Sequence, residues 1–167
     1  MLVKENKDNS VYLNRIKSDP LVTKMINLLM RHGKRSKAEK ILFKSLEVLD
    51  KIYPGQAMHI FYLAILAAKQ DIAVRIKPKP KKRRNKQSFD VYLPRVISPV
   101  CGLNLGMRSI LKTSRERSRL SLSPLWESLS QELLQASQSK GKVVANRYSV
   151  NKLAVSNKRK VHFAIHR

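Results

Sequence analysis

The chain has 167 residues, of which 35 are Lys or Arg and 11 are Asp or Glu, so its formal net charge is +24. Such an excess of positive charge predicts a polyanionic partner, and nucleic acid is the first candidate. The single cysteine, Cys101, excludes an intrachain disulfide and any zinc site built from a pair of cysteines. It predicts a small buried thiol in a reducing compartment.

Residues 1–18 are predicted to be an extension that precedes the folded domain. They contain Glu5 and Asp8 and a single arginine, Arg15, whereas organelle presequences are rich in arginine and poor in acidic residues. We therefore expect that an organellar version of this protein would be synthesised inside the organelle. The longest apolar stretch, Ala57–Ala68, is shorter than the ~20 residues of a membrane span, so no membrane partner is expected.

The first two helices are predicted from local start and stop signals. Asp19 followed by Pro20 is typical of a helix start, and apolar residues recur at helical spacing over residues 21–29. Gly33 is expected to end this helix in a left-handed conformation. Ser36 and Glu39 form a capping-box pattern for a second helix, whose apolar stripe reaches Ile52.

A third helix is predicted after the break at Pro54-Gly55. Because residues 57–68 are apolar almost all round the helix, we expect it to lie at the centre of the domain, with Leu63 and Ile65 both buried. The same reasoning predicts that His59 is a packed core residue.

The hydrophobic period then changes from helical spacing to alternation. The apolar residues Ile72, Val74 and Ile76 occupy every second position, and the same alternation returns at residues 89–93. Two antiparallel strands are therefore expected, in an arm over residues 72–94. Pro78 and Pro80 prevent continued pairing and predict a long basic connection.

This connection and the strand before it carry eight of the twenty predicted RNA-binding cations. They are Arg75, Lys77, Lys79, Lys81, Lys82, Arg83, Arg84 and Lys86. A solvated charge block and a nuclear import signal are the alternative interpretations of this run.

Three further helices are predicted downstream. Ser98-Pro99 and Ser123-Pro124 are start signals for the fourth and fifth helices, Gly141 is expected to close the fifth, and a weakly amphipathic pattern predicts a sixth. Trp126 lies on an apolar stripe and is expected in the core. The predicted fold is therefore mainly α: about six helices in one bundle-like domain over residues 19–157, with a two-stranded β-hairpin protruding between the third and fourth helices, and a basic tail over residues 158–167.

The sequence does not indicate catalysis. Residues 33–36 resemble part of a phosphate-binding loop but lack its earlier glycine and its preceding strand. His162 and His166 are four residues apart without a third metal ligand nearby, and the carboxylates are scattered. We expect no enzyme activity, cofactor, metal or small-molecule substrate.

Basic residues outside the arm complete the predicted RNA-binding set. Four lie in the first interhelical turn, five on the fourth helix and three in the tail: Arg31, Lys34, Arg35, Lys37, Arg108, Lys112, Arg115, Arg117, Arg119, Lys158, Arg159 and Lys160. Because aromatic residues make up only 6% of the chain, recognition of shape and backbone is favoured over stacking of single strands.

Three segments resemble the family of ribosomal protein seven of the small subunit, of the bacterial and organellar type. They are residues 28–39 (LLMRHGKRSKAE), residues 71–75 (DIAVR) at the entrance to the basic hairpin, and residues 105–111 (LGMRSIL). The resemblance implies a structural constituent of the small subunit that binds the 3′ major domain of its ribosomal RNA and nucleates assembly of the head. It also implies neighbouring small-subunit proteins, and a hairpin near the exit-site tRNA and the mRNA path.

The hairpin tip departs from the family pattern, because it lacks the paired glycines and reads KPKKRR over residues 79–84. This divergence favours a mitochondrial, organelle-encoded version, with a plastid or a bacterial cytoplasm as alternatives. The alternative function is a non-ribosomal basic nucleic-acid-binding protein that compacts DNA or acts as an RNA chaperone.

Overall fold

A computed structural model describes residues 18–77 and 91–160, and within these ranges it confirms the predicted fold class. The elements are α1 (Pro20–Leu29), α2 (Arg35–Ile52), α3 (Ala57–Ala68), β1 (Ile72–Lys77), β2 (Val91–Val96), α4 (Pro99–Ser121), α5 (Leu125–Ser137), α6 (Gly141–Ser156) and a 3-10 turn (Lys158–Lys160). The N-terminal extension up to residue 17, the arm residues 78–90 and the tail residues 161–167 lie outside the described residues.

Two helix starts agree with their sequence signals. The Asp19 carboxylate accepts hydrogen bonds from the backbone N–H groups of Leu21 and Val22 at 2.7 and 3.2 Å. At α4 the Ser98 hydroxyl oxygen accepts from the Cys101 N–H at 3.4 Å. Each side chain satisfies N–H groups that the first helical turn would otherwise leave without a partner.

Other start and stop predictions are wrong in detail. The capping box does not form, because α2 begins at Arg35 and Glu39 instead accepts a hydrogen bond from the Arg35 Nε at 2.8 Å. α5 begins one residue later than the Ser123 signal indicates, with Pro124 at the cap position. Gly141, at φ 89°, does not close α5 but begins α6, since α5 has already ended at Ser137.

The core is centred on α3 and α5, which pack against each other, while α5 also contacts α2, α4 and α6. Phe61, Ile65, Leu129 and Leu133 are buried in this contact. Each such side chain contributes about 1.5–3 kcal/mol relative to an exposed one.

The prediction that α3 is buried all round is wrong. Leu63 and Leu66 are 38% and 62% exposed, and His59 is also exposed, because neighbouring helices cover only one side of α3. Ile52, at the end of the predicted stripe of α2, is exposed as well.

Two further core assignments need correction. Cys101 is an exposed free thiol on the first turn of α4, not a buried one. Trp126 is half-buried, and the Lys44 ammonium lies 4.6 Å from the centre of its ring. Trp126 therefore contributes a cation–π contact at the edge of the domain.

The start of α1 is tied to α3 through a hydrogen bond that the Tyr62 hydroxyl donates to the Asp19 carboxylate. This bond, together with burial and the negative charge of Asp19, raises the pKa of Tyr62 to about 12. Asp19 therefore has two roles, as the N-cap of α1 and as the contact between α1 and α3.

Two glycines let α4 approach the C-terminal end of α3. A Cβ atom added to Gly106 would lie 2.8 Å from the Ala68 carbonyl oxygen, and one added to Gly102 would lie 2.2 Å from that of Gln70. Both distances are well below van der Waals contact. Glycine at these two positions weakens α4 as an isolated helix, but the absence of a side chain there allows α4 to pack against the end of α3.

We expect Gly106→Ala to destabilise the protein, although glycine to alanine in a helix normally stabilises by about 0.5–1 kcal/mol. Overpacking against backbone costs about 1–3 kcal/mol, so after the propensity gain the net loss is up to about 2.5 kcal/mol, or a fall in Tm of up to about 10 °C. Thermal melting followed by circular dichroism measures the change. Asn104→Ala, on the same helix, controls for helix propensity and should leave Tm unchanged or slightly raised. A Tm increase in Gly106→Ala would contradict the close contact.

The hairpin is antiparallel, as predicted, and its register pairs Ile72 with Val96 and Lys77 with Val91. β2 therefore extends beyond the predicted boundary at residue 94. The strands pack against α6, and the Ile97 N–H donates to the Asp71 carbonyl at 3.1 Å to close the base of the hairpin.

Arg147 of α6 secures the entrance to β1. Its guanidinium donates to the Ala67 carbonyl at 3.0 Å and lies 3.8 Å from the Asp71 carboxylate, which also pairs with the Lys69 ammonium at 3.0 Å. The base of the arm is therefore fixed to the helical body through α3 and α6.

Candidate nucleic-acid interface

An open groove of about 330 Å³ separates the turn between α1 and α2 from the C-terminal half of α4. We call it the basic groove. Its lining residues are Leu29, Arg31, His32, Lys34, Lys37, Ala38, Ile41, Arg115, Ser118, Arg119 and Leu125. Five of these eleven side chains are Lys or Arg and none is acidic, so the lining of the basic groove carries positive charge that favours an anion.

The turn between α1 and α2 projects its cations because of its backbone conformation. His32 and Gly33 both have positive φ angles, 51° and 70°. The Lys34 N–H donates to the Arg31 carbonyl at 3.1 Å, and the Arg35 N–H donates to the Gly33 carbonyl at 2.8 Å. This tight reversal leaves Arg31, Lys34 and Arg35 exposed.

Arg115 forms the opposite wall and connects it to α1. Its guanidinium is partly buried and donates to the Leu29 carbonyl at 3.4 Å. Burial lowers the pKa of Arg115, and the positive charges of Arg31 and Arg119 lower it further. Because an arginine nevertheless stays protonated near neutral pH, the three guanidinium groups repel one another until an anion lies between them.

The structure brings together five of the predicted RNA-binding residues in the basic groove: Arg31, Lys34, Lys37, Arg115 and Arg119. Arg35 lies beside it and pairs with Glu39. Arg108 and Lys112 are exposed on α4 but do not line the groove.

Arg117 faces the interior of the protein instead. Its Nε donates to the Glu132 carboxylate at 2.7 Å, and its other nitrogens donate to the side-chain oxygens of Gln131 and Gln135 at 3.3 and 2.8 Å. The Glu132 side chain is only 3% exposed and that of Arg117 is 32% exposed, so this ion pair joins α4 to α5 with its carboxylate buried. Arg117 is therefore engaged by protein groups, although its sequence neighbours Arg115 and Arg119 line the groove.

Four of the remaining predicted cations do not line the groove. Arg75 is exposed on β1, while Lys158, Arg159 and Lys160 form the 3-10 turn next to β2. The side chain of Lys77 and the arm residues Lys79, Lys81, Lys82, Arg83, Arg84 and Lys86 lie outside the part of the chain that the structure describes.

Sequence reasoning missed the uncharged part of the groove. Leu29, Ile41 and Leu125 supply apolar surface, and His32 and Ser118 supply polar atoms. Their positions in the sequence carry helix and turn signals but none that relates them to a ligand, because they come together only when α1, α2, α4 and α5 pack.

One acidic side chain on α4 is partly neutralised. The Lys142 ammonium donates to the Glu116 carboxylate at 2.7 Å, and this hydrogen bond is the main reason that the pKa of Glu116 is lowered. Lys112 and Arg119 add to the effect. Positive charge therefore dominates this face of α4 despite Glu116.

Within residues 18–77 and 91–160, no cluster of three or more His, Cys, Asp or Glu side chains is placed to hold a metal ion. Among the helices in the same ranges, none has the length and hydrophobicity needed to cross a membrane.

Comparison with known proteins places this chain among ribosomal proteins. Residues 3–158 match the model of the family described as ribosomal protein S7p/S5e. The chain is 34% identical over 149 residues to the small ribosomal subunit protein uS7 of Kosmotoga olearia, covering 89% of each chain. It is 34% identical over 151 residues to that of Blochmanniella floridana, covering 89% of this chain and 88% of the relative.

A third relative, the small ribosomal subunit protein uS7 of a Sulfurihydrogenibium species, is 29% identical over 157 residues, which cover 94% of each chain. The match extends across the helical body and both strands of the hairpin. The chain belongs to the ribosomal protein S7p/S5e family, which confirms the family predicted from the sequence.

Proposed function

We propose that this protein is a structural constituent of the small ribosomal subunit that binds ribosomal RNA through the basic groove. The observation that carries the proposal is the convergence of Arg31 and Lys34 from one turn with Arg115 and Arg119 from a distant helix, without an acidic lining residue. Small-subunit proteins in the same family support the ribosomal location.

The proposed mechanism is neutralisation of phosphate charge by a preformed surface. The turn and α4 are fixed by the core, so the backbone that carries their cations is already in place when RNA arrives and only the side chains must be ordered. Displacement of condensed counterions from the RNA supplies the driving force. Contacts of this kind fix the orientation of protein on RNA, as required for assembly of the subunit head on the 3′ major domain.

The base of the hairpin supports a second role for the arm. β1 and β2 are secured by α6 and by Arg147, so the basic residues of the arm extend from a rigid base. We propose that the arm reaches the exit-site tRNA and the mRNA path, next to other small-subunit proteins. A mitochondrial ribosome remains the proposed location, with plastid and bacterial ribosomes as alternatives.

Competition binding tests the proposed function. At near-physiological salt, binding of labelled RNA from the 3′ major domain should resist competition by duplex DNA or heparin added at an equal concentration of anionic charge. Tagged protein should also sediment with small ribosomal particles in a sucrose gradient. Equal competition by all three polyanions, with no association with particles, would instead support a DNA-compacting or RNA-chaperone protein.

A further inference from the structure

We infer that the basic groove holds a single unpaired nucleotide of the RNA, with its phosphate on the arginines and its base against the apolar floor. The inference rests on the proposed function and adds the kind of RNA feature that is bound. It starts from the mixed lining of the groove, which combines Arg31, Arg115 and Arg119 with Leu29, Ile41 and Leu125.

Phosphate binding alone does not account for this apolar floor. Leu125 and Ile41 are partly buried and pack against the core on one side, while their other side faces the groove. Apolar surface left in contact with water costs about 25 cal/mol per Å², and a phosphate cannot cover it favourably. The flat face of a base, by contrast, covers apolar surface while its attached phosphate reaches the cations.

The volume of the basic groove also favours one nucleotide over a segment of paired RNA helix. A volume of about 330 Å³ lies at the lower end of the ~300–1,000 Å³ range of small-molecule sites. A paired RNA helix presents its phosphates outward and keeps its bases stacked, so it could contact the cations but could not fill the space between them. Proteins reach RNA bases mainly where loops and bulges release them from the stack.

Apart from the cations, which are assigned to the phosphate, the groove contains few groups that could distinguish one base from another. Of its two uncharged polar side chains, His32 and Ser118, the Ser118 hydroxyl already donates to the Ser123 carbonyl at 2.7 Å. We therefore expect the groove to recognise the presence of an extruded nucleotide and to tolerate any of the four bases.

The test compares two RNA hairpins with the same number of phosphates, one fully paired in its stem and one with a single unpaired nucleotide there. The full-length protein should bind the second hairpin about fivefold to tenfold more tightly, in line with the contribution of one base contact. Ile41→Ala and Leu125→Ala should each reduce this preference without changing the salt dependence of binding, because neither removes a charge.

Leu134→Ala is the matched control, since Leu134 is also partly buried against the core but does not line the groove. This variant should still bind the hairpin with the unpaired nucleotide more tightly. A loss seen only in the groove variants would therefore be due to a lost ligand contact and not to general loosening of the core. A preference that persists in both groove variants would overturn the inference. Equal binding of both hairpins by the unchanged protein would also overturn it, while leaving phosphate binding and the proposed function intact.

A further binding measurement distinguishes a nucleotide within RNA from a free mononucleotide. Free adenosine monophosphate that bound as tightly as the hairpin would overturn the assignment to an RNA nucleotide, because it would identify the groove as a mononucleotide site. Failure of the protein to bind either hairpin or the RNA of the 3′ major domain would overturn the proposed function itself, together with the inference.

Discussion

Arg117→Ala is expected to lower the free energy of unfolding by about 3–5 kcal/mol, because it leaves the buried Glu132 carboxylate without its cation. Both Arg117 nitrogens nearest to Glu132 contact the same carboxylate oxygen, Oε1. The other oxygen, Oε2, is buried and has no hydrogen-bond partner among the described residues. The carboxylate therefore depends on Arg117 for most of its compensation.

A second substitution tests the role of this ion pair by the sign of its effect. Glu132→Gln alone should destabilise the protein, because it removes the charge that Arg117 pairs with. In the Arg117→Ala background the same Glu132→Gln change should stabilise, since it removes a buried charge that has lost its partner. Both effects are measured by urea unfolding of the unchanged protein, the two single variants and the double variant. Each effect should appear as a shift of the unfolding midpoint, while the slope of the free energy of unfolding against urea concentration stays constant.

Arg119→Ala provides the matched control, two residues further along α4. Its side chain is exposed and lines the basic groove, so its removal should change the free energy of unfolding by no more than about 0.5 kcal/mol. Equal destabilisation by Arg117→Ala and Arg119→Ala would show that the ion pair with Glu132 does not hold α4 against α5.

The contrast between Arg117 and its neighbours shows why charge could not define the site from sequence alone. Arg115, Arg117 and Arg119 alternate along one helix, and each has the same intrinsic ability to bind phosphate. Their roles differ because α5 places Glu132 opposite only one of them. Such a partner, 15 positions away in the chain, leaves no local signal in the sequence of α4.

Features set by adjacent residues were predicted best. The starts of α1 and α4 depend on a capping side chain followed by proline, so Asp19 and Ser98 were sufficient to predict them. The strands of the hairpin were similarly indicated by alternation over a few residues. Their register, and the extension of β2 to Val96, depend on pairing across the arm and could not be read from either strand alone.

Burial within α3 was predicted poorly for a physical reason. A helix with apolar residues on nearly every side has no polar stripe to show which face is exposed, so the distinction between Ile65 and Leu63 depends on where α5 packs. The apolar floor of the basic groove was missed for a different reason, since Leu29 and Arg115 are 86 positions apart and meet only in the folded protein.

The arm and the basic groove need not contact the same RNA, and their charges can be tested separately. Lys81, Lys82, Arg83 and Arg84 can be replaced together by alanine. If the arm lies on the same RNA, this change should reduce the slope of log K for RNA binding against log salt concentration by up to about four units. An unchanged slope with ribosomal RNA would remove the arm from that interface and direct it to the proposed tRNA and mRNA contacts.

The groove variant Arg31→Ala/Lys34→Ala/Arg119→Ala should weaken binding to the 3′ major domain RNA by about 10²- to 10³-fold at 0.1 M salt. The reason is that each lost phosphate contact reduces the slope of log K against log salt by about 0.7–0.9, or about two to three units in total. All three side chains are exposed, so the circular dichroism spectrum and Tm should stay close to those of the unchanged protein.

Lys24→Ala/Lys51→Ala/Lys152→Ala removes the same net charge from exposed positions outside the groove and is the matched control. If the groove is the interface, the control should lose little affinity and keep most of its salt slope, because its cations are not in direct contact with phosphate. Similar losses in both variants would show that affinity follows net charge alone, and that folding α1, α2 and α4 around Arg115 creates no particular RNA site.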